Sequence, residues 1–280
     1  MADVTALVDD ARLEHDALAV LLRDRAEADW DAPTPAARWT VRDQAAHLAF
    51  FDRVTRLAIS DQGAFERLRL EAMQDLPRYV EDVLASGAGK SGQQMLAWWA
   101  EERAALADAA VHADPARRIP WFGPSMSLAS KITARIMETW AHGQDIVDAL
   151  SLVRPPSARL AHVARIGVLA FANSYHAHGR DVPAAPVRVV LAAPDGSTWA
   201  WGPEAVTDQV TGPAEDFCLV VTQRRHVQDT DLVVTGPVAT EWMSIAQAFA
   251  GPPGEGRPPG QFRPQPSAAG AVDSEAPGSG

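Results

Sequence analysis

A change of sequence grammar near residue 180 restricts this chain more than any other feature. Over residues 4–180 apolar side chains recur at three- and four-residue spacing. Leu7, Ala11, Leu18, Leu21 and Leu22 form one such stripe, with Asp, Glu and Arg on the opposite face. After residues 179–183 (Gly-Arg-Asp-Val-Pro) the pattern shortens. Residues 187–191 read as a strand, 194–197 (Pro-Asp-Gly-Ser) as a turn and 198–201 as the returning strand of a hairpin. One periodicity cannot describe both halves. The expectation is therefore an α+β chain of two parts, with a helical bundle over residues 1–180 and a small α+β domain over 184–250.

Within the first part, Thr40 is placed to cap a helix starting at Val41 that carries Ala45, Leu48 and Phe51 on one face. Further helices are expected near 63–85, 92–111, 126–150 and 157–178. A Gly/Ser-rich turn at 86–92 and a loop at 119–124 divide them. Long helices joined by such loops favour an up-and-down bundle, whose sites are built from inward-facing side chains. In the second part VTGP occurs at 210–213 and again at 234–237, which suggests two strand-to-helix units. Residues 251–280 contain 14 Gly or Pro in 30 positions and have little to bury, so a disordered tail is expected there.

Charge and cysteine content narrow the function. A formal net charge of −11 argues against nucleic-acid or anionic-membrane partners, both of which need clustered Lys and Arg. Cys218 is the single cysteine, so no intrachain disulfide forms. The acidic amino-terminal residues lack a basic stretch followed by an apolar core, and no apolar run approaches the ~20 residues of a membrane span. A cytoplasmic protein is expected.

Of eight histidines, two stand out by context. His47 lies on the helix that begins after Thr40. His142 follows Glu138 by four residues, so both side chains leave one helix face a turn apart. Two imidazoles and a carboxylate suit Zn(II), and three protein ligands leave a fourth position open, as in catalytic zinc sites. Asp145 and Asp43 are local candidates to accept the outer N–H of a ligating histidine. The plainer readings are that Glu138 and His142 only stabilise a helix face, and that His47 is a hydrogen-bonded core residue. Arg224-Arg225-His226 is a cationic cluster that is either solvated surface or a holder for a substrate carboxylate. The Trp98-Trp99 and Trp121-Phe122 pairs are read as packing, although one of them is able to wall a pocket. Cys218 sits in an apolar run as a packing residue. No P-loop, no Gly-x-Ser-x-Gly elbow and no two-histidine zincin pattern occurs.

The block Trp39-Thr-Val-Arg-Asp-Gln-Ala-Ala-His47-Leu-Ala-Phe-Phe-Asp52, taken with Met137-Glu-Thr-Trp-Ala-His142-Gly-Gln-Asp145, resembles the mycothiol-dependent maleylpyruvate isomerase family. The resemblance covers roughly residues 5–250 and extends to an actinobacterial subgroup through residues 210–226 and 241–250. It implies a DinB-like four-helix bundle followed by a small sterol-carrier-like α+β domain, with zinc held by His47, Glu138 and His142. It further implies mycothiol as co-substrate or cofactor, used on a small electrophilic substrate in S-transfer or isomerisation. Asp145, Arg224 and Arg225 are then the candidates for catalytic support, with either arginine as a carboxylate anchor. Two other classes stay open: a metal-dependent hydrolase on the same bundle, and a non-catalytic small-molecule or lipid binder.

Overall fold

A computed structural model describes residues 3–262. The helical part begins with α1 (Val4–Leu22), a short α2 (Glu27–Trp30) and α3 (Val41–Ser60). Thr40 caps α3 as the sequence suggests. Its hydroxyl accepts from the Asp43 amide, while the Asp43 carboxylate accepts from the Thr40 backbone N–H at 2.8 Å and its hydroxyl at 2.7 Å. The predicted helix at 63–85 is two helices, α4 (Gln62–Gln74) and α5 (Leu76–Ala85). Asp75 breaks it, because its side chain caps the second helix at the Arg78 amide and its own backbone is extended. Then come α6 (Gly92–His112), the two-residue strands β1 (Arg118–Ile119) and β2 (Met126–Ser127), and α7 (Leu128–Ala149). The stretch predicted at 157–178 likewise divides, into α8 (Leu160–Leu169) and α9 (Phe171–Ala177).

Helices α1, α3, α6 and α7 form the bundle, each packed against two of the others. Their inward faces bury two clusters. One centres on Val54, Phe65, Ile119 and Ile136, the other on Leu18, Trp30, Leu48 and Trp99. Burying such side chains stabilises the fold by roughly 1.5–3 kcal/mol each before chain entropy is counted.

The second part contains β3 (Arg188–Ala192), β4 (Thr198–Trp201), β5 (Gln209–Pro213), α10 (Ala214–Val221), β6 (Val233–Thr235) and α11 (Pro237–Ile245). The sheet order is β4-β3-β5-β6. β3 and β4 make the expected antiparallel hairpin, β3 and β5 run parallel, and β5 and β6 run antiparallel. Both VTGP repeats lie at strand-to-helix junctions. At the second, Gly236 has φ +86° and lies against the Asp208 carboxylate, leaving no room for a Cβ. Asp208 in turn accepts from the Val238 and Ala239 amides at 2.7 and 3.0 Å, closing the start of α11.

A third apolar cluster joins the parts. Met137, Trp140 and Ala141 of α7 pack with Leu160 and Val163 of α8 and with Val189, Phe217 and Trp242 beyond. Helix α7 is thus shared, one face turned into the bundle and another toward the sheet unit. Residues 251–262, expected to be disordered, lie back on the body as irregular chain. Arg257 donates to Asp145 at 2.7 Å, the Gly260 amide donates to the Asp229 carboxylate at 2.8 Å, and the Phe262 ring lies 3.9 Å from the Arg225 guanidinium. Proline stiffens the unfolded chain here, so a few polar anchors suffice to fix it. The rest of the expected tail, 263–280, falls outside the described residues. Among the described residues no helix is long and apolar enough to cross a membrane.

Candidate metal centre

Helix α3 supplies His47, and α7 supplies Glu138 and His142 from successive turns of one face. The three side chains converge. Glu138 Oε2 stands 3.5 Å from His47 Nε2 and 3.2 Å from His142 Nε2, and one ligand atom from each residue falls within 4.8 Å of the others. Aromatic rings wall the cluster. The Trp39 indole stacks on His142 at 5.7 Å and 15°, and Phe51 lies 4.6 Å from the His47 ring.

The outer nitrogen of His142 has a fixed partner that sequence spacing did not single out. Its Nδ1 is 2.5 Å from Gln44 Oε1. An N–H donated to that amide oxygen turns Nε2 toward the Glu138 carboxylate, 3.2 Å away. Burial, with the neighbouring His142 charge, lowers His47 to about 4, so this imidazole is neutral at pH 7. Burial alone would raise the Glu138 carboxyl, but hydrogen bonds from His142 and His47 hold it well below the usual range. The donor set is therefore one neutral imidazole, one carboxylate and one imidazole turned by Gln44, and it fits a divalent cation.

A second link between the same helices lies deeper. Arg135, one turn before Glu138, donates to Asp52 at 2.9 Å and to the Leu48 carbonyl at 3.3 Å on α3. Asp52 also accepts from Trp99 Nε1 of α6 at 3.0 Å. Gln44–His142 and Asp52–Arg135 thus tie α3 to α7 on either side of His47.

The donors open onto a cavity of about 1120 Å³, whose wall also includes Phe51, Trp121, Lys131, Ile166 and Phe249. Trp121 is therefore both core neighbour and pocket wall.

Other expected site residues do not join this centre. Both Asp145 oxygens are engaged, Oδ2 by Arg224 at 2.9 Å and Oδ1 by Arg257 at 2.7 Å, so Asp145 does not orient His142. Asp43 is occupied as the cap of α3. Arg224 touches the cavity, yet its guanidinium is spent on Asp145 and on the Ala141 and Thr222 carbonyls. Arg225 forms a two-point pair with Asp148, both contacts at 2.7 Å. Both guanidiniums are thus paired with aspartates of α7. Two arginines in a row suggest a cationic patch, and spacing does not reveal that aspartates on α7 meet them. Cys218 is buried, and burial pushes its thiol well above the ordinary value.

Comparison with known proteins places these features. The family model described as mycothiol maleylpyruvate isomerase N-terminal domain matches residues 11–147, and one described as wyosine base formation matches 183–235. Two Mycobacterium tuberculosis proteins, "Uncharacterized protein Rv0036c" (strain H37Rv) and "Uncharacterized protein MT0041" (strain CDC 1551), are each 42% identical over 257 residues. Each alignment covers 92% of this chain and all of the relative. Crystal structures of the mycothiol-dependent maleylpyruvate isomerase and of a point mutant share the fold, with TM-scores of 0.54 and 0.55 at 15% identity. Both matches cover 79% of this chain and 90% of theirs.

Proposed function

Because this chain belongs to the mycothiol maleylpyruvate isomerase family, we propose that it is a zinc-dependent enzyme using mycothiol, or a similar low-molecular-weight thiol, on a small electrophilic metabolite. The reaction is S-transfer or thiol-assisted isomerisation. The observation that carries this reading is the meeting of His47, Glu138 and His142 at the wall of a roomy cavity. The separations of 3.2 and 3.5 Å support the choice of metal, since atoms roughly 2.0–2.2 Å from a tetrahedral zinc stand about that far apart.

When bound, zinc supplies Lewis acidity that favours the thiolate form of an incoming thiol. The chain's own residues do the rest. Gln44 sets the tautomer and ring plane of His142. Arg135 and Asp52 hold α3 at the register that keeps His47 opposite Glu138. Trp39 and Phe51 pack against the two imidazoles, and the cavity onto which the donors open orients thiol and electrophile together. The proposed setting is the cytoplasm, where thiols stay reduced.

Purified protein is expected to carry close to one zinc per chain by elemental analysis. His47→Ala and His142→Ala should each lose most of it while keeping the helical circular-dichroism spectrum. Full zinc occupancy in both variants overturns the site. Adding mycothiol to cobalt-substituted protein should shift the visible spectrum. Turnover without any thiol, with an unchanged spectrum, would instead favour a metal-dependent hydrolase.

A further inference from the structure

The chain contains 23 arginines and only two lysines, Lys90 and Lys131. Lys90 is spoken for: its amine donates to the Ser86 carbonyl and lies over the Trp98 ring. Lys131 is different. It is 2% exposed, lines the same cavity as the three metal-site donors, and has no hydrogen-bond or ion-pair partner among the described residues. Its one close neighbour of opposite character is the Trp121 ring, whose centroid lies 3.1 Å from Nζ. The Asp52 carboxylate is already paired with Arg135.

A buried amine without a counter-ion is costly to keep charged. Burial, with the charge of Arg135 behind it, lowers this amine to about 6, against a raising influence from Glu138. The missing partner is an anion, and the cavity is the route by which one would arrive. Lysine suits such a place better than arginine, since it sheds its proton when the subsite is empty and regains one when a carboxylate enters. Lys131 precedes Glu138 by seven residues on α7, two turns and about 10 Å along the same face. That spacing separates the reacting end of a ligand from its anionic end.

We propose that the part of the cavity lined by Trp121 is an anion-binding subsite in which Lys131 receives a carboxylate of the substrate. The word substrate rests on the enzyme reading above; the anion-binding subsite itself does not.

The test uses zinc-loaded full-length protein and an unreactive probe pair, succinate and its neutral diamide succinamide. Calorimetry should show succinate binding that weakens about tenfold or more in Lys131→Met, as expected for loss of a charge-assisted contact, and that Lys131→Arg partly restores. Succinamide should bind neither protein better than the other. Equal succinate affinity in wild type and Lys131→Met overturns the subsite, since it would mean the metal alone takes the acid. Should Lys131→Met fail to fold, wild-type protein still decides the matter. Labelling by acetic anhydride, read by mass spectrometry, should be slowed by succinate at Lys131 and not at Lys90, and succinamide should protect neither. Labelling of Lys131 that ignores succinate refutes the proposal. Zinc content and the mycothiol response, measured on the same samples, keep the two ideas apart. Succinate protection without zinc sinks the enzyme and leaves the subsite. Zinc and thiol binding without protection does the reverse.

Discussion

Helix α7 carries two groups of chemistry-bearing side chains, one turn after another, and they have opposite fates. Glu138 and His142 face the cavity, where one ligand atom from each converges with one from His47 in an arrangement that fits a divalent cation. Asp145 and Asp148 face away from that cluster, where Arg224 and Arg225 of the second part and Arg257 of the following segment pair with them at 2.7–2.9 Å. The residue types on the two faces are equally suggestive in a sequence. What separates them is whether the hydrogen-bonding and charge requirements are met from within the chain. A closed network holds structure together; an open one in a cavity asks for a ligand.

The strongest way to break this contrast is Asp145→Ala. It strands Arg224 and Arg257, each mostly buried, and is expected to lower stability by about 3–5 kcal/mol in urea unfolding while zinc content stays unchanged. Loss of zinc without loss of stability would move Asp145 into the metal centre after all. Next in size is Gln44→Leu, which removes the acceptor for His142 Nδ1. Metal affinity should fall roughly 10–100-fold in a chelator competition, with the fold retained. An unchanged affinity would mean that the His142 ring needs no such support.

A smaller effect sharpens the comparison by using a buried group that belongs to neither cluster. His15 Nε2 has no hydrogen-bond partner and lies 3.8 Å from Asp52, edge-on to Trp99. Burial lowers it to about 4, below its unfolded value of 6.5, so the unfolded chain binds the extra proton between those limits. Its contribution to stability is intact above pH 6.5 and declines by up to about 1.4 kcal/mol per pH unit as pH falls toward 4. His15→Leu in metal-free protein should flatten that decline without touching metal affinity. The same slope in variant and wild type would show that acid sensitivity arises elsewhere.

The division near residue 180, the cap at Thr40 and the hairpin at 188–201 were legible because each depends on neighbours in sequence. That His47 sits opposite Glu138 and His142 depends on packing of α3 against α7, yet four-residue spacing supplied two of the three members. The break at Asp75 was hidden, since the apolar pattern continues across it and only the carboxylate's hold on the Arg78 amide interrupts the helix. The roles of Arg224 and Arg225 were hidden for a stronger reason. Their partners lie 77 and more residues away, and no local pattern encodes a contact of that range. Gln44 and Lys131 were legible in principle, as they sit three residues before His47 and seven before Glu138 on the same helix faces.

The return of residues 251–262 across the body bears on how the molecule is handled. A stretch so rich in Gly and Pro invites trimming before crystallisation or fusion. A fragment cut after residue 250 discards the guanidinium that shares Asp145 and the ring that covers Arg225. The cut would bare a half-neutralised carboxylate on the helix that also presents Glu138 and His142. Shortening the gene at that seemingly dispensable end therefore edits the scaffold of the helix that carries two of the candidate metal donors.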